Sequence, residues 1–225
     1  MNVLAIIPAY NEATTIADVL AHVRPFVDGM IVVDDGSDDR TGQIARAQGA
    51  IVVRHVINRG LGAAIGTGFA TAQKLGAEVV VTLDADGQHD PAEIPALVHA
   101  IEEGADLVIG SRMLTGFVGM PLHRRVAQVV GNLVTFFLFG AWVTDSQSGF
   151  RALTVYAISK IHLKTNRMEV SSELIAEAKR NALVIVEVPI KAIYTDYSLS
   201  KGQSFFVGLK TLFKLVIRRL TRNHP

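Results

Sequence analysis

The chain has 225 residues, enough for one α/β domain with a full core. Its 22 Lys+Arg against 21 Asp+Glu leave no global field to attract nucleic acid or a strongly acidic partner. With no cysteine there is no disulfide or thiolate-metal framework, which suits a cytoplasmic protein.

Residues 1–10 lack a basic leader and read as a strand, so no signal peptide is expected. The apolar run 3–7 ends at Pro8, and 30–33 runs into Asp34-Asp35-Gly36-Ser37. Run 51–53 follows a helix expected over 41–48, 78–81 leads to Asp84, and 107–109 ends at Gly110-Ser111-Arg112. Continuous apolar runs alternating with helices indicate a mainly parallel sheet covered on both faces. Ligands of such sheets bind beyond the carboxyl ends of the strands. Asn11, Asp34, Asp35, Asp84, Asp86 and Arg112 all fall just after strands and are expected on one edge.

The second half is less regular. Helices are expected over 122–139 and 171–181, with a strand region over 183–190 broken by Pro189. The stretch 126–143 carries no charge and touches the length of a spanning helix. Gln128, Asn132 and Thr135 interrupt it, and a crossing would separate the motifs on either side, so it reads as a buried or interfacial helix. No repeat or linker divides the chain. One domain over 1–203 is expected, followed by a basic amphipathic helix over 204–225. There Phe205, Leu209, Leu212, Phe213, Val216 and Leu220 form an apolar stripe, with Lys210, Lys214 and Arg218 on another face. Such a helix can lie in the headgroup plane of an anionic leaflet, or pack on its own domain or a second subunit.

Asp84-Ala85-Asp86 sets two hard carboxylate ligands at a strand end, suited to Mg²⁺ or Mn²⁺ bridging to a diphosphate, with Gln88, His89 and Asp90 close behind. The pattern alone also fits a turn, with Asp90 capping a helix opened by Pro91. A second cluster on the same edge, Asp34-Asp35-Gly36-Ser37-Asp38-Asp39, shifts the balance toward a ligand site. Ser37, Asp38 or Asp39 can cap the following helix, whereas Asp34 and Asp35 lie too early and are assigned to the nucleotide. The glycine-rich stretch 58–66 either cradles a diphosphate or packs a helix closely on the sheet. His22, His55, His99, His123 and His162 show no ligand spacing, and His89 can face water beside the metal motif.

Pro8-Ala-Tyr-Asn-Glu12, Val33-Asp-Asp-Gly-Ser37, Asp84-Ala-Asp-Gly-Gln-His-Asp-Pro91, Gly110-Ser-Arg112 and Asp145-Ser-Gln-Ser-Gly-Phe-Arg151 stand in this order. Together they resemble family 2 glycosyltransferases, in the branch of dolichol-phosphate mannose synthases and polyprenyl-phosphate sugar transferases, over about residues 3–200. The resemblance implies a GT-A fold, a Rossmann-like α/β architecture. It implies that Pro8, Tyr10, Glu12 and Asp35, with Asp84, hold the nucleotide, and that Asp84, Asp86 and Gln88 bind the metal. Arg112 and Arg151 would face phosphate groups. Near its end the sequence departs from the branch: the arginine expected before Ser200-Lys201 is missing, and Lys201 is left as the phosphate cation.

The function expected is inverting, metal-dependent transfer of a sugar from a nucleotide-sugar, GDP-mannose or a UDP-sugar, to a polyprenyl or dolichyl phosphate. Arg124, Arg125, Arg151 and Lys201 are candidate positioners of the acceptor phosphate. Such an enzyme would sit peripherally on the cytoplasmic face of an anionic membrane. A sugar-hydroxyl acceptor would instead need a general base, for which Asp145 or Glu173 is the candidate. A silent nucleotide-sugar-binding scaffold is the third reading, against which the intact Asp-x-Asp argues.

Overall fold

The computed structural model describes residues 1–115, 129–130, 132–133, 136, 140, 142–167, 169–191 and 193. Seven strands form one sheet in the order β3-β2-β1-β4-β6-β5-β7. They are β1 (Val3–Ala9), β2 (Gly29–Asp34), β3 (Ile51–Arg54), β4 (Val79–Thr82), β5 (Leu107–Ser111), β6 (Arg151–Thr154) and β7 (Ile185–Pro189). β1 pairs in parallel with β2 and β4, β2 with β3, and β5 with β7. Only β6 runs antiparallel among these strands, wedged between β4 and β5.

Alternation along the strands feeds two cores. Val3, Ala5 and Ile7 of β1 point to one face, where they meet α1 (Ile16–Val23), α2 (Thr41–Ala47) and α4 (Ile94–Glu102). Leu4 and Ile6 point to the other, against α3 (Leu61–Lys74), α5 (Val155–Lys160) and α6 (Val170–Arg180). Burying both faces is why the central strands read as unbroken apolar runs. Each fully buried Ile or Leu contributes about 1.5–3 kcal/mol of transfer free energy.

The helices follow their apolar spacing. Ile16, Val19, Leu20 and Val23 form the buried stripe of α1. Pro91 opens a 3-10 turn whose first amides are capped by Asp90, which accepts from Ala92 N at 3.0 Å before α4 begins. α3 lies close on the sheet because Gly68 has no side chain: a Cβ there would stand 2.3 Å from Ile6 Cγ2. The expected strands at 3–7, 30–33, 51–53, 78–81 and 107–109 are all present, as is the helix expected over 171–181. Pro189 closes β7 on a sheet edge, where its missing N–H breaks no ladder.

Among the described residues no helix is long and apolar enough to cross a membrane. The described part of the 122–139 segment is helical at positions 129, 130, 132, 133 and 136. Arg124, Arg125, Lys201 and the 204–225 segment lie outside the described residues.

Candidate active site

The carboxyl ends of β1, β2, β4 and β5 carry the motif residues to one edge of the sheet, as their spacing requires. β1 delivers Pro8 at its end and then the exposed ring of Tyr10. Asn11 adopts φ 55°, turning the chain so that its N–H donates to Ser37 Oγ at 3.0 Å and its Oδ1 accepts from Asp38 N at 2.9 Å. Glu12 follows, its N–H donating to Thr41 Oγ1 at 2.8 Å and its Oε2 accepting from Thr15 Oγ1 at 3.1 Å. The first motif and the β2 cluster are thus one hydrogen-bonded unit.

The β2 carboxylates, expected at the nucleotide, face inward and accept hydrogen bonds from the protein's own groups. Asp34 is 1% exposed and accepts from Ser37 N at 2.9 Å, closing the turn after the strand. Asp35 is 4% exposed. Its Oδ1 accepts from His55 Nδ1 at 2.6 Å and Arg59 N at 2.9 Å, and its Oδ2 from Gly60 N at 2.7 Å. Asp39 accepts from Thr41 N at 2.9 Å, while the N-cap position of α2 is Arg40, without a side-chain cap bond. Asp35 therefore holds the glycine-rich turn. That turn is also clamped from outside, because Gly62 N donates to Asn166 O at 3.0 Å. A Cβ on Gly60 or Gly62 would come within 2.1 and 1.9 Å of the carbonyl oxygens of Asn166 and Thr165. These glycines pack closely on the backbone of residues 165–166, not on the sheet as the second option had it.

The β4 end is built differently. The Asp84 side chain is 40% exposed and accepts from His89 Nε2 at 3.1 Å. Asp86 accepts from Gln88 N at 3.1 Å and from the Gln88 side-chain amide, so these two side chains converge on one point. Partial burial works against ionising Asp84, but the His89 hydrogen bond and the charges of His89, Arg112 and Arg151 prevail and hold its carboxyl below the usual range. Asp86 is pushed the other way, by burial and then by the charge of Asp84, against the pull of Gln88 and His89. An ionised Asp84 beside an Asp86 whose ionisation it opposes, with an amide next to them, is a hard donor set that a divalent cation would relieve. Among the described residues no cluster of three or more His, Cys, Asp or Glu forms a complete metal cage. An ion held by Asp84, Asp86 and Gln88 would need further donors from outside these side chains.

The third wall comes from β5 and the segment before β6. Arg112 is held in a fork by Asp145, with Nε to Oδ2 at 2.7 Å and Nη2 to Oδ1 at 2.8 Å. Its side chain is 20% exposed, whereas Asp145 is fully buried. Asp145 is in turn fixed through its own N–H, which donates to Glu187 Oε1 at 3.1 Å. Glu187 also accepts from Thr144 N at 2.9 Å. Both oxygens of Asp145, the candidate general base for a hydroxyl acceptor, thus accept from Arg112. Glu173, the other candidate base, is also buried, and its Oε2 accepts from Lys164 N, Thr165 N and Thr165 Oγ1 at 3.0, 2.8 and 2.6 Å. Arg151, expected to face a phosphate, has protein partners in this structure. It is 2% exposed and donates to the carbonyls of Ser146 and Ser171 at 2.9 and 3.2 Å, so it lies beneath the site instead of facing a phosphate. Burial lowers its pKa to about 10 despite the charges of Asp145 and Asp84, leaving a cation behind both carboxylates at neutral pH.

One residue of this site, Glu187, escapes sequence reasoning, and His89, expected to face water, is buried. His89 is 5% exposed, stacked at 5.1 Å on Phe150, and bonded to Asp84; its place inside the acidic motif was the available signal. Glu187 is an acid inside the apolar strand Ile-Val-Glu-Val-Pro, an incongruity that marks a half-buried polar anchor.

In a family comparison, the family model "Glycosyl transferase family 2" matches residues 4–161. The chain belongs to glycosyl transferase family 2. It is 37% identical to the UDP-N-acetylglucosamine–dolichyl-phosphate N-acetylglucosaminyltransferase of Methanococcus voltae, over 96% of this chain and 95% of that one. It is 35% identical to the undecaprenyl-phosphate mannosyltransferase of Micrococcus luteus, over 92% and 90%. Among solved structures it superposes on glucosyl-3-phosphoglycerate synthase of Mycobacterium tuberculosis with a TM-score of 0.75 at 23% identity, covering 97% and 78% of the two chains. The fold is GT-A, and this family 2 member is a glycosyltransferase of the polyprenyl-phosphate sugar transferase branch.

Proposed function

We propose that this glycosyltransferase moves a sugar from a nucleoside-diphosphate donor, a UDP-sugar or GDP-mannose, onto the phosphate of a polyprenyl phosphate, with inversion. The observation that carries the choice of acceptor is the commitment of Asp145 to Arg112. A sugar hydroxyl would need a base to take its proton. Asp145 and Glu173, the residues placed to serve, are both occupied. A phosphate monoester needs none, since its second pKa is about 6 and it is already mostly ionised at neutral pH. The names of the relatives acting on dolichyl and undecaprenyl phosphate support the same reading.

In this reading Asp84, Asp86 and Gln88 hold Mg²⁺ or Mn²⁺ against the donor diphosphate. Bound there, the ion supplies Lewis-acid neutralisation of the charge that grows on the leaving nucleoside diphosphate. Tyr10, Pro8 and Glu12 form the wall for the nucleoside, and Asp35 shapes it by fixing the Arg59–Gly60 turn. Arg112, aimed by Asp145, positions the acceptor phosphate; Arg124, Arg125 and Lys201 are proposed to help it. The acceptor oxygen attacks the anomeric carbon as the bond to the diphosphate breaks, so the configuration inverts. The lipid end is proposed to lie along Val129, Val130, Leu133, Phe136 and Trp142, all exposed. Asn132 ties this surface to the site, donating to Thr144 O and accepting from Ser146 N at 3.0 Å. The basic stripe of 204–225 is proposed to hold the protein peripherally on the cytoplasmic leaflet.

A panel of UDP- and GDP-sugars offered to a short polyprenyl phosphate, and to the same chain as the free alcohol, tests the proposal. Sugar should appear on the phosphate and not on the alcohol, and EDTA should stop it. Equal transfer to the alcohol or to a free sugar would overturn the phosphate reading. No release of nucleoside diphosphate with any donor would point to a silent scaffold.

A further inference from the structure

Asp84 is gripped on two sides. A Cβ on Gly149 would stand 2.7 Å from Asp84 Oδ1 and 2.8 Å from Oδ2, so the carboxylate rests directly against a bare backbone. Thr82 Oγ1 donates to Gly149 O at 2.8 Å and pins that backbone to the end of β4. On the other side His89 Nε2 reaches Asp84 Oδ2 at 3.1 Å. A carboxylate oxygen only accepts, so Nε2 carries the hydrogen and donates it. The remaining ring nitrogen, Nδ1, is buried and has no hydrogen-bond partner among the described residues. A histidine kept for polar packing would have both nitrogens satisfied. This one is satisfied only toward Asp84, and its ring lies tilted 33° to Phe150, which sets the plane from which Nε2 donates.

We propose that His89 is a positioning residue for the divalent ion: its Nε2–H fixes the orientation of the Asp84 carboxylate, so that ion and nucleoside diphosphate bind to a preset ligand. The inference rests on the proposed metal role of Asp84. Hydrogen bonds that orient a metal-binding carboxylate typically change metal affinity by about 10–100-fold when removed. The geometry also names its own rescue. The side-chain nitrogen of glutamine lies as many bonds from Cβ as Nε2 of histidine, whereas leucine fills the space against Phe150 and donates nothing.

The test compares wild type, His89→Leu and His89→Gln in the full chain. Mn²⁺ affinity is measured by electron paramagnetic resonance with UDP and with GDP present, and thermal unfolding is followed in EDTA. His89→Leu should bind Mn²⁺ about 10–100-fold more weakly. His89→Gln should return to within about threefold of wild type if the donated hydrogen is the cause. Both variants should melt in EDTA within a few degrees of wild type. Wild-type affinity in His89→Leu overturns the role of His89 and leaves the metal reading standing. No Mn²⁺ binding by wild type with either nucleotide overturns the metal reading and this inference with it. Weak binding by both variants together with a large fall in melting temperature assigns His89 to the core and also overturns the inference.

Discussion

At the end of β2, Asp34 and Asp35 are 1% and 4% exposed, and their oxygens accept backbone amides and an imidazole. Two strands away, at the end of β4, the Asp84 side chain is 40% exposed, and Asp86 accepts from its own near neighbour Gln88. The two clusters have similar composition and stand on the same sheet edge, yet one shapes loops and the other presents charge outward. What separates them is the supply of donors. Arg59, Gly60 and Ser37 bring N–H groups into the β2 turn and satisfy its carboxylates without any ligand. The β4 turn leaves Asp86 raised by burial and by the charge of Asp84, which favours a cation. The number of acids at a strand end is therefore a weaker guide to a ligand than the number of amides near them.

The largest expected effect comes from breaking the β4 side. Asp86→Asn removes a proposed ion ligand and should lower kcat by about 10³-fold or more, the rate equivalent of several kcal/mol of lost charge stabilisation. Because Asp86 already suffers from burial and from Asp84, its melting temperature in EDTA should not fall. Steady-state kinetics at saturating Mn²⁺ and thermal unfolding check the two halves. Asp145→Asn should come next. It replaces one arm of the fork on Arg112 with an amide that repels the guanidinium, and should lower kcat/KM for polyprenyl phosphate by about 10–100-fold while KM for the donor moves little. Abolition of turnover with Arg112 still held in place would return Asp145 to the role of base.

Asp35→Asn sharpens the comparison from the other side, with the smallest effect on rate and the largest on the fold. It turns an acceptor toward three donors into a group with one poorly matched end, and should cost about 2–4 kcal/mol of stability. For a chain of this size that lowers the melting temperature by roughly 4–15 °C. Turnover at a temperature where the variant is folded should persist, with donor KM raised. A variant that melts like wild type but no longer binds nucleotide would mean that Asp35 faces the ligand, and the contrast between the two strand ends would fail.

Much of this was legible in the sequence. Unbroken apolar runs such as 3–7 and 30–33 announce strands buried on both faces, and the residues after them had to share an edge. β6 was not legible: Arg151 opens its short run and masks the apolar pattern, and its Nη2 donates to carbonyls of Ser146 and Ser171 that the fold brings to it. The site residues were found by position but not by direction. Nothing in Val-Asp-Asp-Gly-Ser tells that amides from residues 59 and 60 return to Asp35, since that contact is made by the fold. For the same reason the fork between Arg112 and Asp145, 33 residues apart, could be recognised only as two separate motifs.

The central claim is that the divalent ion and the donor diphosphate meet at Asp84, Asp86 and Gln88, and not at the richer acidic cluster after β2. Anomalous diffraction from crystals grown with Mn²⁺ and the nucleoside diphosphate that binds tightest addresses it directly. A single manganese peak between the Asp86 carboxylate and the diphosphate, with Asp34 and Asp35 still turned inward on Ser37, Arg59 and Gly60, is the predicted result. A peak among residues 34–39, or a bound diphosphate with no manganese near Asp86, would contradict it.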